Sequence, residues 1–264
     1  MTYQLYNDDC MKVLPTLPSA SVDAVITDPP YGVHAMEWDS VIPHDFMWRE
    51  LERIVKPKGN IILFGTGLFA YKLALSNERL FRYDLVWKKS KCGSPLTAKL
   101  MPMKKHELVL VFGQSAAKYN PQLEDGTPYS RHFTKHRTNN LKLGIKGVAE
   151  ENGGWRFPPS VLDFPQKWRR QDQLHPTQKP VELMEWLVRS YTDEGDVVLD
   201  FTMGSGSTGV ACVRANRGFL GIEKEKSYYE IAKSRMARQK EQGVQMALFD
   251  APSADEIGEA TDED

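Results

Sequence analysis

Asp28, Pro29, Pro30 and Tyr31 follow directly on the apolar run VDAVIT, and their types suit one difficult reaction. An exocyclic amine on a nucleobase is a poor nucleophile because its lone pair is delocalised into the ring. Acceptors must hold both N–H groups so that the nitrogen becomes more tetrahedral and its lone pair turns towards an electrophile. The Asp28 carboxylate can accept one bond, strengthened by its charge. The Pro29 carbonyl can accept the other, because Pro30 restricts the residue before it and neither proline brings a competing N–H. Tyr31 offers an aromatic face on which a base can stack. Such stacking is worth about 1–3 kcal/mol, comparable with the few kcal/mol needed to extrude a base from a duplex. A rigid turn ending a strand would use the same residues, so the motif alone leaves both readings open.

A second group runs Asp200-Phe201-Thr202-Met203-Gly204-Ser205-Gly206-Ser207-Thr208-Gly209, between a predicted strand and a predicted helix, with Glu223 ending the next strand. Glycines let a backbone approach a ligand closely, and an acid at the end of the second strand is placed to accept bonds from ribose hydroxyls. Gly204, Gly206 and Gly209 also fit G-x-G-x-x-G, which admits a nicotinamide dinucleotide. Against that reading, three residues separate Asp200 from the first glycine, whereas the dinucleotide turn follows its strand at once.

The elements that must position these groups alternate between strand and helix. VDAVITDPPY at Val22 to Tyr31, NIILF at Asn60 to Phe64, Leu85 to Trp87, LVLVF at Leu108 to Phe112, VVLDF at Val197 to Phe201 and GFLGI at Gly218 to Ile222 read as buried strands. DFMWRELERIV from Asp45 to Val55, stopped by Lys56-Pro57-Lys58-Gly59, reads as helix, as do VELMEWLVRSYT after Pro180, Val210 to Ala215, and YYEIAKSRMARQ from Tyr228 to Gln239. The pattern predicts an α/β fold with a mostly parallel sheet covered on both faces. Between Gly113 and about Asp172 periodicity fails, and Gly, Pro, Asn and Arg mix with Tyr129, Phe133, Trp155, Phe157 and Trp168. That reads as an inserted lobe, since a connector of this length is usually functional.

At roughly 150 residues per domain, 264 residues suit one large domain with an insertion. Apolar residues at 41% and charged residues at 26% are ordinary for a globular chain. No apolar run approaches the roughly 20 residues of a membrane span, so a membrane protein is excluded. The start, MTYQLYNDDC, carries neither a basic patch nor a signal-length apolar stretch, so the expected compartment is the cytoplasm. The net charge of -1 conceals a strong asymmetry. Residues 250–264 hold 7 acids and no base, whereas Lys88 to Lys179 hold 17 Lys and Arg against 7 Asp and Glu. The basic stretch is the footprint of a polyanion-binding face, or of a solvated basic surface.

The two motifs in this order resemble the β-class amino methyltransferases of DNA, which use S-adenosylmethionine. The resemblance runs from about Asp8 to Arg238. It includes Asp9-Cys10, LPSASVDAVITDPPYG, Trp38-Asp39, KKHELVLVFG, PPSVLDFP, HPTQKP, VVLDFTMGSGSTGVA and GFLGIEKEKSYYEIAKSRM. It implies a Rossmann-like methyltransferase fold of seven strands in a circularly permuted motif order. Residues 1–112 would form the catalytic half of the core, 113–172 a target-recognition lobe, 173–240 the cofactor half, and 241–264 a disordered acidic tail. It further implies that Asp9 lies near the cofactor adenine and Glu223 holds the ribose. Asp200 and the Gly204-Ser205-Gly206 turn would surround the methionine portion, and Thr177 and Lys179 of HPTQKP would meet its carboxylate. The family usually has proline then phenylalanine after the strand-ending aspartate. Phe201 and Thr202 stand there instead, which leaves the aromatic contact to the cofactor open. Within the family an Asp-Pro-Pro-Tyr form goes mainly with adenine N6, and a leading Ser mainly with cytosine N4.

The expected partners are double-stranded DNA, a second copy in a homodimer, and a bacterial replication sliding clamp docked through Gln245-Met246-Ala247-Leu248-Phe249, in a bacterial or phage setting associated with the nucleoid. Those five residues are a short match, and an apolar chain end packed on its own domain accounts for them more readily. His132 and His136 have a spacing that can share a metal on a helix, but no third ligand accompanies them and no metal is expected. Cys10, Cys92 and Cys212 form no disulfide framework and read as buried thiols.

Overall fold

The computed structural model describes residues 2–32, 40–93, 95, 98–114, 116–131, 150–166, 174–175 and 178–249. Trp38, Asp39, His132, Phe133, His136, Trp168, Thr177 and the acidic residues from Asp250 onward lie outside them. The described elements are β1 (Tyr3–Tyr6), α1 (Cys10–Val13), β2 (Val22–Thr27), α2 (His44–Ile54), β3 (Val55–Gly65), α3 (Gly67–Leu75), β4 (Phe81–Gly93), β5 (Lys104–Gly113), β6 (Glu124–Asp125), β7 (Tyr129–Arg131), β8 (Glu150–Asn152), β9 (Trp155–Arg156), β10 (Val161–Asp163), α4 (Val181–Tyr191), β11 (Val197–Asp200), α5 (Ser207–Arg214), β12 (Gly218–Ile222) and α6 (Lys226–Phe249).

Eight strands form one sheet in the order β1-β12-β11-β2-β3-β5-β4-β10. All neighbours are parallel except at β5, which runs against both β3 and β4. The Rossmann-like, mostly parallel arrangement matches the sequence reading. The strand count is eight against the expected seven, and the edge is β10, three residues of the PPSVLDFP motif paired with β4. Alternate residues of each buried strand feed two cores. Ile26, Ile62, Phe64 and Trp87 pack with Leu183, Leu187 and Val188 of α4 and with Ala211, Ala232 and Met236. Val25, Ile61, Leu63 and Phe112 pack with Met47, Leu51 and Ile54 of α2 and Leu73 of α3. Both faces are therefore covered, which is why these strands read as continuous apolar runs.

The strand order also shows how the two halves of the chain join. β11, from late in the sequence, lies beside β2, with Val198 opposite Ala24 and Leu199 opposite Val25. From that junction the sheet continues to β3 on one side and to β12 on the other, making the kind of switch point beyond which open α/β sheets bind ligands.

Several elements depart from expectation. Lys56-Pro57-Lys58-Gly59 stops α2 but belongs to β3, which starts at Val55 with a register shift against β2. Gly59 fits there because a Cβ would stand 2.5 Å from the Asp23 carbonyl oxygen. β4 and β5 are longer than their apolar centres, and β1, α1 and α3 have no counterpart in the sequence reading. α6 continues as helix to Phe249, so Gln245 to Phe249 continue a helix rather than opening a disordered tail at 241. Cys92 is exposed, not buried. Residues 121–159 form a second compact unit, against the 113–172 expected for the lobe. Its described part contains two short antiparallel ribbons, β6 with β9 and β7 with β8, and the Arg156 guanidinium lies 4.4 Å from the centre of the Tyr129 ring.

Candidate active site

The carboxyl ends of β2, β11 and β12 are neighbours in the sheet, and they present Asp28, Asp200 and Glu223. β2 stops where its donors run out, since Pro29 and Pro30 have no N–H for a ladder. Thr202 Oγ1 donates to the Asp28 carbonyl at 3.1 Å and is 2.7 Å from Thr27 Oγ1. The residue after the β11 end is thereby tied to the corner after β2. Phe201 is buried in the core while also bordering the cavity described below.

Asp200 acts as the knot beneath this corner. Its Oδ1 accepts from Thr27 Oγ1 at 2.6 Å and from the Thr202 N–H at 3.2 Å, and its Oδ2 accepts from Thr208 Oγ1 at 2.6 Å. Burial pushes its carboxyl up to about 6, although the Thr208, Thr27 and Thr202 bonds favour the ionised form. A carboxyl that holds its proton more tightly when folded contributes most while protonated. Its contribution is therefore lost as pH rises from its ordinary 3.8 to about 6. At 1.36 kcal/mol per unit, that loss is on the order of 2–3 kcal/mol. In urea unfolding, Asp200→Asn should remove this component of the pH dependence, and identical slopes for variant and wild type would refute the assignment.

Glu223 is held by backbone alone. Its Oε2 accepts the Gly204 N–H and its Oε1 the Glu225 N–H, both at 2.8 Å, while its own N–H donates to the Tyr6 carbonyl at 3.0 Å. Burial raises its carboxyl above the usual range against these bonds. The turn under it needs glycine at two positions. Gly204 has φ +51° and Gly206 φ +77°, a region that costs other residues about 1–2 kcal/mol. Arg235 of α6 braces the turn by donating to the Ser205 carbonyl at 2.5 Å and to Ser205 Oγ at 3.1 Å. The His175 ring sits edge-on to Tyr228 at 4.2 Å. Burial, with the Lys179 charge, lowers this histidine to about 4, so it is neutral at physiological pH. Asp9 caps α1, its carboxylate accepting the Met11 N–H at 2.8 Å.

The corner itself is charged. Asp28 Oδ2 accepts from the Lys179 ammonium and Oδ1 from the Tyr31 hydroxyl. Lys179 also lies 3.4 Å from Glu107 Oε2, and Lys89 pairs with Glu107 Oε1. Lys179 is only 7% exposed. Its proton is held more firmly than usual, because Asp28 and Glu107 outweigh its burial. For Asp28, burial outweighs Lys179 and raises the carboxyl, with Glu107 adding to the rise. Burial would raise Glu107 as well, but Lys179 and Lys89 bring it below the usual range. The resemblance implied that Lys179 meets a cofactor carboxylate. Its protein partners are Asp28 and Glu107. Glu107, Lys89 and Thr27 escaped the sequence reading as site residues. A charged residue opening the apolar strand LVLVF was the available signal for Glu107.

A cavity of about 580 Å³ joins these parts, within the usual range for small-molecule sites. Asp28 to Tyr31, Trp87, Lys89, His106 and Glu107 line it together with Asp9, Lys179, Asp200 to Ser205 and Glu223. Twelve of the fourteen residues singled out from the sequence thus border one space; Gly206 belongs to the same turn without lining it, and Thr177 lies outside the described residues. Among the described residues no group of three or more His, Cys, Asp and Glu is placed to hold a metal.

The sequence profile of the N6/N4 methyltransferase family, described as DNA methylase, matches residues 22–234. The chain is a DNA methylase of that family. Over 249 residues the methylase is 28% identical to the type II methyltransferase M.HpaI of Haemophilus parainfluenzae, covering 89% of this chain and 74% of that protein. It is 26% identical over 262 residues to the type II methyltransferase M2.DpnII of Streptococcus pneumoniae, covering 90% of each. The crystal structure of the M1.HpyAVI–SAM complex superposes with a TM-score of 0.61 at 25% identity, covering 89% of the methylase and 99% of that chain. The cytosine-N4-specific PvuII DNA methyltransferase shares the fold, with a TM-score of 0.65 at 17% identity over 93% of each chain.

Proposed function

We propose that this DNA methylase transfers a methyl group from S-adenosylmethionine to N6 of an adenine flipped out of double-stranded DNA. The carrying observation is that the Asp28 corner and the Glu223–Gly204 turn border one cavity and are laced together through Thr202, Thr27 and Asp200. The chain's own groups suit the donor. Glu223 is anchored by two backbone N–H groups at the mouth of a glycine turn, as a ribose acceptor requires, and Asp9 and neutral His175 border the same space. Bound there, S-adenosylmethionine supplies an electrophilic methyl on a sulfonium sulphur, whose bond breaks as the amine lone pair attacks.

Everything else is positioning and electrostatics. The Asp28 carboxylate and the Pro29 carbonyl accept the two amine N–H bonds. Among the described residues nothing donates to the Pro29 carbonyl, whereas Thr202 already occupies that of Asp28. Asp28 then takes the proton that the methylated amine loses. The leading Asp of the Asp-Pro-Pro-Tyr motif favours adenine over cytosine. Residues 121–159, with the flanking basic stretch, supply DNA contacts as the target-recognition part.

Incubating the protein with methyl-labelled S-adenosylmethionine and duplex DNA, then resolving the nucleosides, tests this reading. N6-methyladenine is expected. N4-methylcytosine would correct the base, and no label in DNA would overturn the reading. Phosphate contacts by Lys and Arg predict that the logarithm of DNA affinity falls linearly with that of salt concentration, by about 0.9 per phosphate neutralised. A salt-independent affinity would remove the basic stretch from the interface.

A further inference from the structure

Asp28, Lys179, Glu107 and Lys89 form a chain of alternating charge contributed by the corner after β2, the segment before α4, β5 and β4. The proposed function asks Asp28 to accept a bond from the target amine. Yet its Oδ2 already holds the Lys179 ammonium and its Oδ1 the Tyr31 hydroxyl. An ammonium seated on the carboxylate draws off the charge that should polarise the amine. Glu107 is in the opposite condition. Its Oε2 is buried, makes no hydrogen bond among the described residues, and lies 3.4 Å from Lys179 Nζ. The contact to Lys179 is a long ion pair without hydrogen-bond geometry, and a small movement of the ammonium would tighten it into a charge-assisted hydrogen bond. Lys89 pins the other oxygen, Oε1, so the Glu107 carboxylate cannot swing away. The Phe64 ring, its centre 4.9 Å from Nζ, offers the ammonium an aromatic face beside both partners.

We propose that Lys179 is a movable counter-ion whose ammonium passes from Asp28 Oδ2 to Glu107 Oε2 as the target amine arrives, and that Glu107 is the positioning residue that permits this release. The inference rests on the proposed role of Asp28. Only hydrogen bonds change hands, and every proton stays on its atom. Lysine suits the task better than arginine would, because its ammonium is a compact charge with rotatable donors on a flexible stem.

The groups facing Asp28 are Lys179, Glu107 on β5, the Tyr31 hydroxyl and Asp200 on β11, with Lys89 and neutral His175 behind them. Removing the Glu107 charge leaves Lys179 seated on Asp28 and makes Asp28 easier to ionise. Glu107→Gln is therefore expected to lower the single-turnover methylation rate about 10–100-fold, while moving the acid limb of the rate profile to lower pH. Affinity for S-adenosylmethionine by calorimetry should stay within about twofold of wild type, a change of only a few tenths of a kcal/mol. Glu107→Asp keeps the charge and should restore the limb and part of the rate. The inference is overturned by a Glu107→Gln rate within twofold of wild type. It is equally overturned by a slower rate with an unmoved limb that Glu107→Asp does not relieve, the mark of a merely structural role. An Asp28→Asn enzyme as active as wild type would instead remove the underlying role of Asp28, and the inference with it.

Discussion

Asp28→Asn should lower the single-turnover rate of methyl transfer by about 10²–10³-fold, the usual effect of removing a preorganised charged partner of the reacting group, while leaving S-adenosylmethionine affinity nearly intact. The substitution keeps the shape of the side chain and removes its charge. An amide oxygen still accepts a hydrogen bond, but without the charge that makes such bonds roughly twice as strong. The main-chain tie from Thr202 to the Asp28 carbonyl is untouched, so the corner should hold its place above the glycine turn. Glu223, Gly204 and Asp9 make no hydrogen bond to the Asp28 carboxylate, which is why cofactor affinity should survive. Part of the loss arises through Lys179, which keeps a buried charge with Glu107 as its remaining carboxylate. A melting measurement alongside the kinetics separates that cost from the chemical one. A rate within tenfold of wild type would show that the carboxylate does not act on the amine.

Residues that end a strand were legible because strand ends are written locally. Asp28 and Asp200 each close a short apolar run, and the prolines or glycines after them announce the turn. The corner and the turn border one cavity because β11 pairs with β2, and that pairing joins distant segments, Thr27 and Asp200 being 173 positions apart in the sequence. The charge chain was not legible for the same reason. Glu107 meets Lys179 and Lys89 only after β5 has reversed between β3 and β4, and no spacing rule links residues on three separate segments. The pairing of Lys179 with Asp28 was not legible either, since the two lie 151 positions apart and the resemblance pointed to a ligand for this lysine rather than to a side chain. Misread boundaries have simpler causes. A Lys-Pro-Lys-Gly run looks like a stop, yet β3 absorbs it through a register shift beside β2. β1, only four residues long, is too short for a period to show, although its Tyr6 carbonyl anchors the Glu223 backbone. Gly243 interrupts the pattern of helix α6, so its continuation to Phe249 could not be seen in the sequence.

Gly206→Ala should cost about 2–4 kcal/mol of stability, by two separable routes. The first is conformational: φ of +77° suits glycine and burdens alanine. The second is steric, because the new Cβ would stand 2.7 Å from the Cβ of Ala232 and 3.0 Å from its Cα. Ala232 belongs to α6, fixed in the core beside Met236, so the turn must yield. Yielding displaces Gly204, whose N–H holds Glu223, and S-adenosylmethionine affinity should fall together with stability. Ala232→Gly separates the routes. Alone it should cost about 0.5–1 kcal/mol as a glycine in a helix. Combined with Gly206→Ala it removes the closest clash and leaves the backbone strain. Urea unfolding of the four proteins of this cycle should then give a favourable coupling of about 1–2 kcal/mol, typical of residues in contact. Strict additivity would mean that the turn is not pressed against α6, and that glycine is required at 206 by backbone conformation alone.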